Sequence, residues 1–459
     1  MTTELSKAWE LFESGDPQGS MRALRFAADE LASAEIAPLV AGLAEGAGFA
    51  DLSEASTALV ARPGSAYRLY RFGYACVERG IPALAVPALR EALQLTVAPP
   101  APAAPQRTGL FRRKAGQQPD PELTPRRVLL ELVTSLEREE RHAEALAVLR
   151  EHDAVLGDWP DRYLTVYNAL MSGRIALARQ VFDALSAPEG VWVEPGRRVG
   201  RMLERAAALP PTGDQDLRGW HYVLTGGVLT TLAPQGFGQG MTGRWAYLQD
   251  EFGSCRHGLE RLRTVLAAAG RKPASVGLLP DRGSRALGLA AARLLGVPAA
   301  PYGPGTTDGP GATDGPGAAD VLVVAYDLNA CDPALVAALT TRAAGDLLFE
   351  HATCWTDPPG ASADVCTLLV QTVVAPWEPG LQFTEDGGVV RSEPDERSAE
   401  DLAEAILAAD PAPQEGDGQT PADPDEALAA FAARAAGTWA NSPRDRVRSS
   451  GPVRSSRFA

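Results

Sequence analysis

Residues 69–92 read LYRFGYACVERGIPALAVPALREA. A large apolar residue, Leu69, is followed four positions on by a small one, Gly73. Gly80 then offers a reversal, and Ala85, Leu89 and Ala92 return on one face at helical spacing. The pattern predicts two amphipathic helices joined by a tight turn. Glycine permits the reversal, and alanine lets the helices approach closely. The rhythm recurs in Leu129, Leu132, Leu136, Ala145 and Leu149, and again in Gly173, Ala178, Phe182 and Leu185. Ala145 and Ala178 are 33 positions apart, whereas Ala85 and Ala145 are 60 apart. Between the latter lies VAPPAPAAPQRTGLFRRKAGQQPDPELTP, a Pro/Ala-rich basic linker over 97–125. Removing one period leaves a surplus of about 26 residues, close to the linker's own size, so the register survives the insertion. Trp9 to Phe12 with Gly15, and the stretch from Gly46 to Leu59, fit weaker copies. Four or five helical hairpins are expected over residues 1–210.

These small and large positions, with a spacing near 34 residues, resemble the tetratricopeptide repeat family across roughly residues 1–205. Each such hairpin leaves an apolar stripe that only a neighbouring hairpin can cover. The resemblance therefore implies an α solenoid with a concave groove for a protein or peptide partner. A generic helical bundle is the other arrangement the residues allow. Arg112, Arg113 and Lys114 in the linker offer a docking point for an acidic partner, or simply a solvated loop.

The chain has 459 residues, too many for one ordinary core, and 45% hydrophobic content is ample for burial. No apolar run reaches the 18–20 or so residues a membrane span needs, and the start MTTELSKAWELFESGD lacks a signal-peptide pattern. Cys76, Cys255, Cys331, Cys354 and Cys366 are dispersed and odd in number, which points to a reducing, cytoplasmic setting. A net charge of −15 repels phosphate backbones and argues against nucleic acid as a partner. Three lysines beside forty arginines, among 43 basic residues, reflect GC-rich bacterial codons.

From Ala274 the pattern changes. ASVGLLP, VPAAPYG, ADVLVVAYD, DLLFEH and VCTLLVQTVV are apolar runs of strand length, and RALGLAAARLLG and residues 333–339 are helical. Nearly all-apolar strands alternating with helices predict an α/β domain over 215–395 with a mainly parallel sheet. The repeat GTTDGPGATDGPGA falls in a Gly/Pro-rich insertion over 303–319 and is expected to be a flexible loop. Residues 396–459 are expected to hold helices and a disordered basic tail. Within them PAPQEGDGQTPADP, 411–424, is also expected to be disordered.

Asp281, Arg282, Gly283, Ser284 and Arg285 lie where a strand ends and a helix begins. Free N–H groups in a helix's first turn favour an anion, and glycine admits a phosphate to the backbone. Ser284 can cap the helix while Arg282 or Arg285 pairs with the anion. The same residues also suit a plain cap with solvated arginines.

Around this junction VGLLPDRGSRALGLAAARLLGVP and ADVLVVAYDLNACDP resemble the type I phosphoribosyltransferases over about residues 275–351. The resemblance implies a pyrophosphate loop at 281–285 and a ribose-phosphate loop at Asp327. The family's two adjacent acids and following small residues are represented here by Tyr326-Asp327-Leu328-Asn329-Ala330-Cys331. A phosphorylated ligand, bound by an enzyme or by a degenerate one, is what the resemblance implies.

Trp220 to Gly227 and Gly236 to Trp245 combine glycine with Trp, His, Tyr and Arg. They read as an interdomain joint or a ligand-lining loop. His351, Cys354 and Cys366 with Cys331 have no zinc-knuckle spacing, and no metal or cofactor is expected. Phosphate-loop, dinucleotide, nucleophile-elbow and H-E-x-x-H motifs are absent. The leading expectation is a protein-binding scaffold whose α/β module binds or senses. The alternative is a phosphoribosyltransferase-like protein.

Overall fold

Gly73 decides how the first helices pack. A Cβ at that position would fall 2.6 Å from Leu89 Cγ, so the helices Ala66–Glu78 and Pro82–Val97 touch where only glycine fits. The computed structural model describes residues 2–97, 121, 123–302, 320–342, 345–357, 359–384, 387–439, 444–447 and 451–453. Most of the linker 97–125 and all of the insertion 303–319 lie outside them, as does much of the C-terminal tail.

The chain forms two compact units: residues 1–172 with 176–188, and residues 173–175 with 189–459. The first is helical throughout its described residues. Consecutive helices pair as Thr3–Glu13 with Pro17–Phe26, Ser33–Gly46 with Ala50–Ala61, Ala66–Glu78 with Pro82–Val97, and Pro125–Arg138 with His142–Glu151. Tyr163–Met171 packs on the last of these. Amphipathic spacing gives the helices a common interior, one apolar core running from Leu5 to Leu156. Left-handed backbone recurs at the turns, at Gly15, Gly48, Gly80, Glu140 and Gly173. The helix Val193–Ala208, within the stretch expected to be repeat, belongs to the second unit.

The second unit is built on a mainly parallel sheet. Its strands are β1 (Val228–Leu229), β2 (Trp245–Gln249), β3 (Ser275–Leu278), β4 (Ala299–Pro301), β5 (Val321–Ala325), β6 (Leu347–Cys354) and β7 (Val365–Val374). The order is β1-β7-β6-β5-β3-β4, with β2 also on β7, and every pairing is parallel. A separate antiparallel hairpin joins β8 (Leu381–Phe383) and β9 (Val389–Arg391). β-residues alternate between faces. Leu322 and Val324 face a core shared with the helices Phe252–Ala268, Arg282–Leu295, Ala399–Ala408 and Asp425–Trp439, whereas Val321, Val323 and Ala325 face the helix Pro333–Leu339.

The five apolar runs beginning at Ala274 form β3 to β7. β1 and β2 come from the Gly/aromatic segment, where no strand was expected; both are short, and β2 is largely open to solvent on one edge. Both lie on the same edge of β7, β1 beside Val365–Cys366 and β2 beside Val370–Val374. They make one interrupted edge strand, and residues 230–244 leave the sheet between them.

Two segments expected to be disordered make specific contacts at their described residues. Residues 411–424 have no regular secondary structure but are tied to the domain: Asp423 takes hydrogen bonds from Arg218 and Arg261 at 2.8 Å and from Leu232 N at 3.1 Å. In the tail, Asp445, Val447 and Val453 are buried, with Asp445 held by Arg201 and Arg205 at 2.6 and 2.8 Å. Their composition lacks an apolar pattern, and the contacts they make are charged: Asp423 with Arg218 and Arg261, and Asp445 with Arg201 and Arg205. No helix among the described residues is long and apolar enough to cross a membrane.

Candidate functional site

In a doubly wound sheet the crevice forms beyond the carboxyl ends of strands where the winding reverses. Here the chain moves outward from β3 to β4 and then returns to β5 on the other side of β3. The reversal brings Asp281, Ser284 and Asp327 together. Asp281 caps the helix Arg282–Leu295, accepting from Ser284 N at 2.8 Å. The buried Ser284 hydroxyl oxygen accepts from Tyr326 N at 2.9 Å. Burial, and then the charge of Asp281, raises the Asp327 carboxyl above its ordinary range. The Cys331 thiol reaches Asp281 at 3.5 Å and is pushed up to about 12, by burial first and then by Asp281.

Arg282 and Arg285 turn away from this point. Arg282 donates to the carbonyls of Arg397, at 3.1 Å, and Asp395, and Arg285 pairs with Glu400 at 2.9 Å. A Cβ on Gly283 would fall 2.8 Å from the Trp377 ring. The crevice therefore holds two carboxylates at a helix N-terminus already occupied by its own cap. That field suits hydroxyls or a cation better than a phosphate.

A larger space lies at the interrupted edge strand. A cavity of about 710 Å³ is lined by Thr231, Trp245, Leu248, Ser254, Arg261 and Thr367 and by residues of the strap 410–424. The strap is fastened at several points: Asp423 by Arg218 and Arg261, Asp417 Oδ2 by Gly236 N at 3.0 Å, and the Pro411 carbonyl by His257 Nδ1 at 3.0 Å. The excursion 230–244 has Thr242 at φ 49°, a conformation that costs a β-branched residue energy and that only the surrounding structure can hold.

Next to this cavity is a buried polar cluster on Asp250, just past β2. Its Oδ2 lies 3.0 Å from His351 Nε2, 2.8 Å from Tyr326 Oη and 3.6 Å from Cys255 Sγ. All four residues are buried, Cys255 and His351 completely. Burial opposes ionisation of Asp250, but His351 and the surrounding hydroxyls outweigh it and hold the carboxyl below its ordinary range. Burial, and then Asp250, drives the Cys255 thiol and the Tyr326 phenol well above theirs. The oxygen, nitrogen and sulfur of Asp250, His351 and Cys255 lie within 4.8 Å of one another.

The opposite face carries a second group. Glu350 accepts from Leu328 N at 2.9 Å and from the Thr353 hydroxyl at 2.6 Å, and burial pushes its carboxyl up to about 8. His221 approaches Cys366 Sγ at 3.4 Å and is pushed down to about 3 by burial and then by Arg244. His221 and Trp220 lie on the helix Leu217–Thr225 and are buried within the second unit. The cysteines weighed as metal ligands with His351 scatter: Cys331 to Asp281, Cys366 to His221, and Cys354 to Thr356 at 3.3 Å.

Sequence reasoning found the switch-point residues, because a strand–turn–helix junction is local. It missed Asp250, Cys255 and Asp423, whose partners are distant. A polar residue in or just past an apolar run, His351 in LLFEHATC and Asp250 after WAYLQ, was the only signal available. Comparisons of the chain with protein-family models, curated proteins and solved structures found no match.

Proposed function

We propose that this chain is a two-module binding protein. Its helical half acts as a tetratricopeptide-type solenoid that grips a protein or peptide, and its α/β half holds a small ligand under the strap. The observation carrying the first part is the periodic left-handed turn. Gly15, Gly48 and Gly80 are 33 and 32 positions apart, Glu140 and Gly173 are 33 apart, and the one longer interval, 60, contains the linker. A backbone that reverses at this interval is what stacked hairpins require. Hydrogen bonds between the first helices of successive hairpins add support: Arg127 Nε to Tyr70 Oη at 3.0 Å, and Asn168 Nδ2 to Glu137 Oε1 at 2.6 Å. Arg127 also lies over the Tyr70 ring, which neighbours the half-exposed Tyr74. An aromatic and basic patch of this kind suits a partner with an acidic and apolar character. The reading keeps a cytoplasmic address, where the five unpaired cysteines stay reduced, and leaves nucleic acid and membrane aside.

Affinity purification with the full chain tests it. A specific partner captured by the parent should be lost from Tyr74→Ala/Arg127→Ala and retained by Asp327→Asn. Equal capture by all three chains removes the groove from the account. The phosphoribosyltransferase-like alternative draws on Asp281 and Asp327 meeting at the switch point. Phosphoribosyl pyrophosphate at millimolar concentration should then raise the melting temperature, and Asp327→Asn should abolish the rise. No shift in the parent disposes of that alternative.

A further inference from the structure

The cluster beside the cavity carries more than hydrogen bonds. Three groups of donor chemistry, the His351 ring N–H, the Tyr326 phenol and the Cys255 thiol, crowd one oxygen of Asp250, Oδ2. A carboxylate oxygen offers two lone pairs, and a thiol is a poor donor. All three address the same oxygen, and the Ser254 hydroxyl is a further donor to this carboxylate. Three atoms able to donate lone pairs to a metal, Oδ2, Nε2 and Sγ, converge on one buried volume.

We propose that Asp250, Cys255 and His351 form a three-ligand zinc site. Tetrahedral zinc, with bonds of about 2.0–2.2 Å to oxygen and nitrogen and about 2.3 Å to sulfur, sets its O···N pairs about 3.4 Å apart and its O···S pairs about 3.6 Å apart. The corresponding separations here are 3.0 and 3.6 Å. A thiolate, an imidazole and a carboxylate are a zinc donor set, since the thiolate disfavours magnesium and calcium. On binding, the Cys255 thiol releases its proton to solvent, and the thiolate and the Asp250 carboxylate together balance the ion's two positive charges.

The surroundings of His351 supply an independent observation. Its Nδ1 and the Thr367 hydroxyl are both buried without a hydrogen-bond partner. Each lies 2.9 Å from the point a Cβ on Gly258 would occupy. When Nε2 binds a metal the ring proton moves to Nδ1, which ordinarily passes it to a second group. The Thr367 hydroxyl is the other unpartnered polar atom around the same space, which Gly258 leaves open. Three protein ligands leave a fourth coordination position. Ser254 lies next in sequence to Cys255, Thr367 sits beside His351, and both belong to the wall of the cavity. The site would therefore add a Lewis acid to what is otherwise a binding pocket.

The test uses the full chain, freed of any metal-binding tag and produced in zinc-replete medium. Elemental analysis should give about one zinc per chain. After stripping and reloading with cobalt(II), the protein should show the visible bands of a four-coordinate ion and a thiolate-to-cobalt charge-transfer band. Cys255→Ser should lose the charge-transfer band. Asp250→Asn and His351→Gln should weaken metal binding tenfold or more, and Cys331→Ser should leave it intact. A folded parent chain with less than about a tenth of an equivalent of zinc and no cobalt spectrum overturns the proposal, whatever the variants do.

Discussion

The helical unit and the α/β unit solve the burial problem in opposite ways. In the first, the core from Leu5 to Leu156 is apolar, and ion pairs such as Arg79–Asp51 and Arg90–Glu144 stay at the surface, with Asp161, buried against the half-exposed Arg126, an exception. In the second, charges go inside: Arg205–Asp445, Arg261–Asp423 and Arg444–Asp364 are largely or wholly buried. The buried pairs tie together segments far apart in the chain, with Arg205 and Asp445 separated by 240 positions. An apolar stripe needs only a neighbour of the right shape, so hairpins can repeat. A buried charge needs one particular partner, so the second unit is closed by specific residues in a single arrangement.

Breaking one such closure should produce the largest effect. Asp445→Ala leaves the buried Arg205 without its carboxylate, while Arg201 keeps Glu194, and should cost about 3–5 kcal/mol. Chemical denaturation should show it as a loss confined to the unfolding of the second unit. An equal shift in the helical unit would erase the contrast.

Glu350 tests the same contrast through pH. Its folded value of about 8 stands above the ordinary carboxyl value of 4.5, so the native state holds a proton there that the unfolded chain gives up. The stability from this group is fully present below about pH 4.5 and is lost as pH rises through about 8. Glu350→Gln should flatten that slope and leave the variant more stable than the parent at pH 8 by a few kcal/mol. An unchanged slope would show that Glu350 is not the source. His221 acts with the opposite sign: its value is lowered to about 3, so its contribution falls as pH drops below about 6.5.

Gly73→Ala probes the apolar solution. The added methyl meets Leu89 at 2.6 Å in a packed interior and should cost about 1–3 kcal/mol, read in the unfolding of the helical unit. The smallest effect sharpens the case for equivalent repeats. Glu140 has φ 57° where Gly15, Gly48, Gly80 and Gly173 stand at the turns of the other helix pairs. Glu140→Gly should stabilise the chain by about 1 kcal/mol in thermal or chemical unfolding. A loss of stability would mean that this turn is held by contacts the other turns lack.

The kinds of element are written locally in the chain. Helical spacing around Leu69, Ala85, Leu129 and Ala145, turn glycines at Gly15, Gly48, Gly80 and Gly173, and all-apolar runs such as VLVVA each record burial by a near neighbour. Local periodicity is a direct imprint of that burial. It even located the junction where Asp281, Ser284 and Asp327 meet, since each stands just beyond the end of a readable strand. That β1 and β2 share one edge of β7, that 411–424 straps a cavity, and that Asp250 meets His351 101 positions away are settled by long-range packing. A charge buried against a distant partner leaves no period in the chain. Its place is fixed when the sheet closes, because desolvation makes every other arrangement too costly.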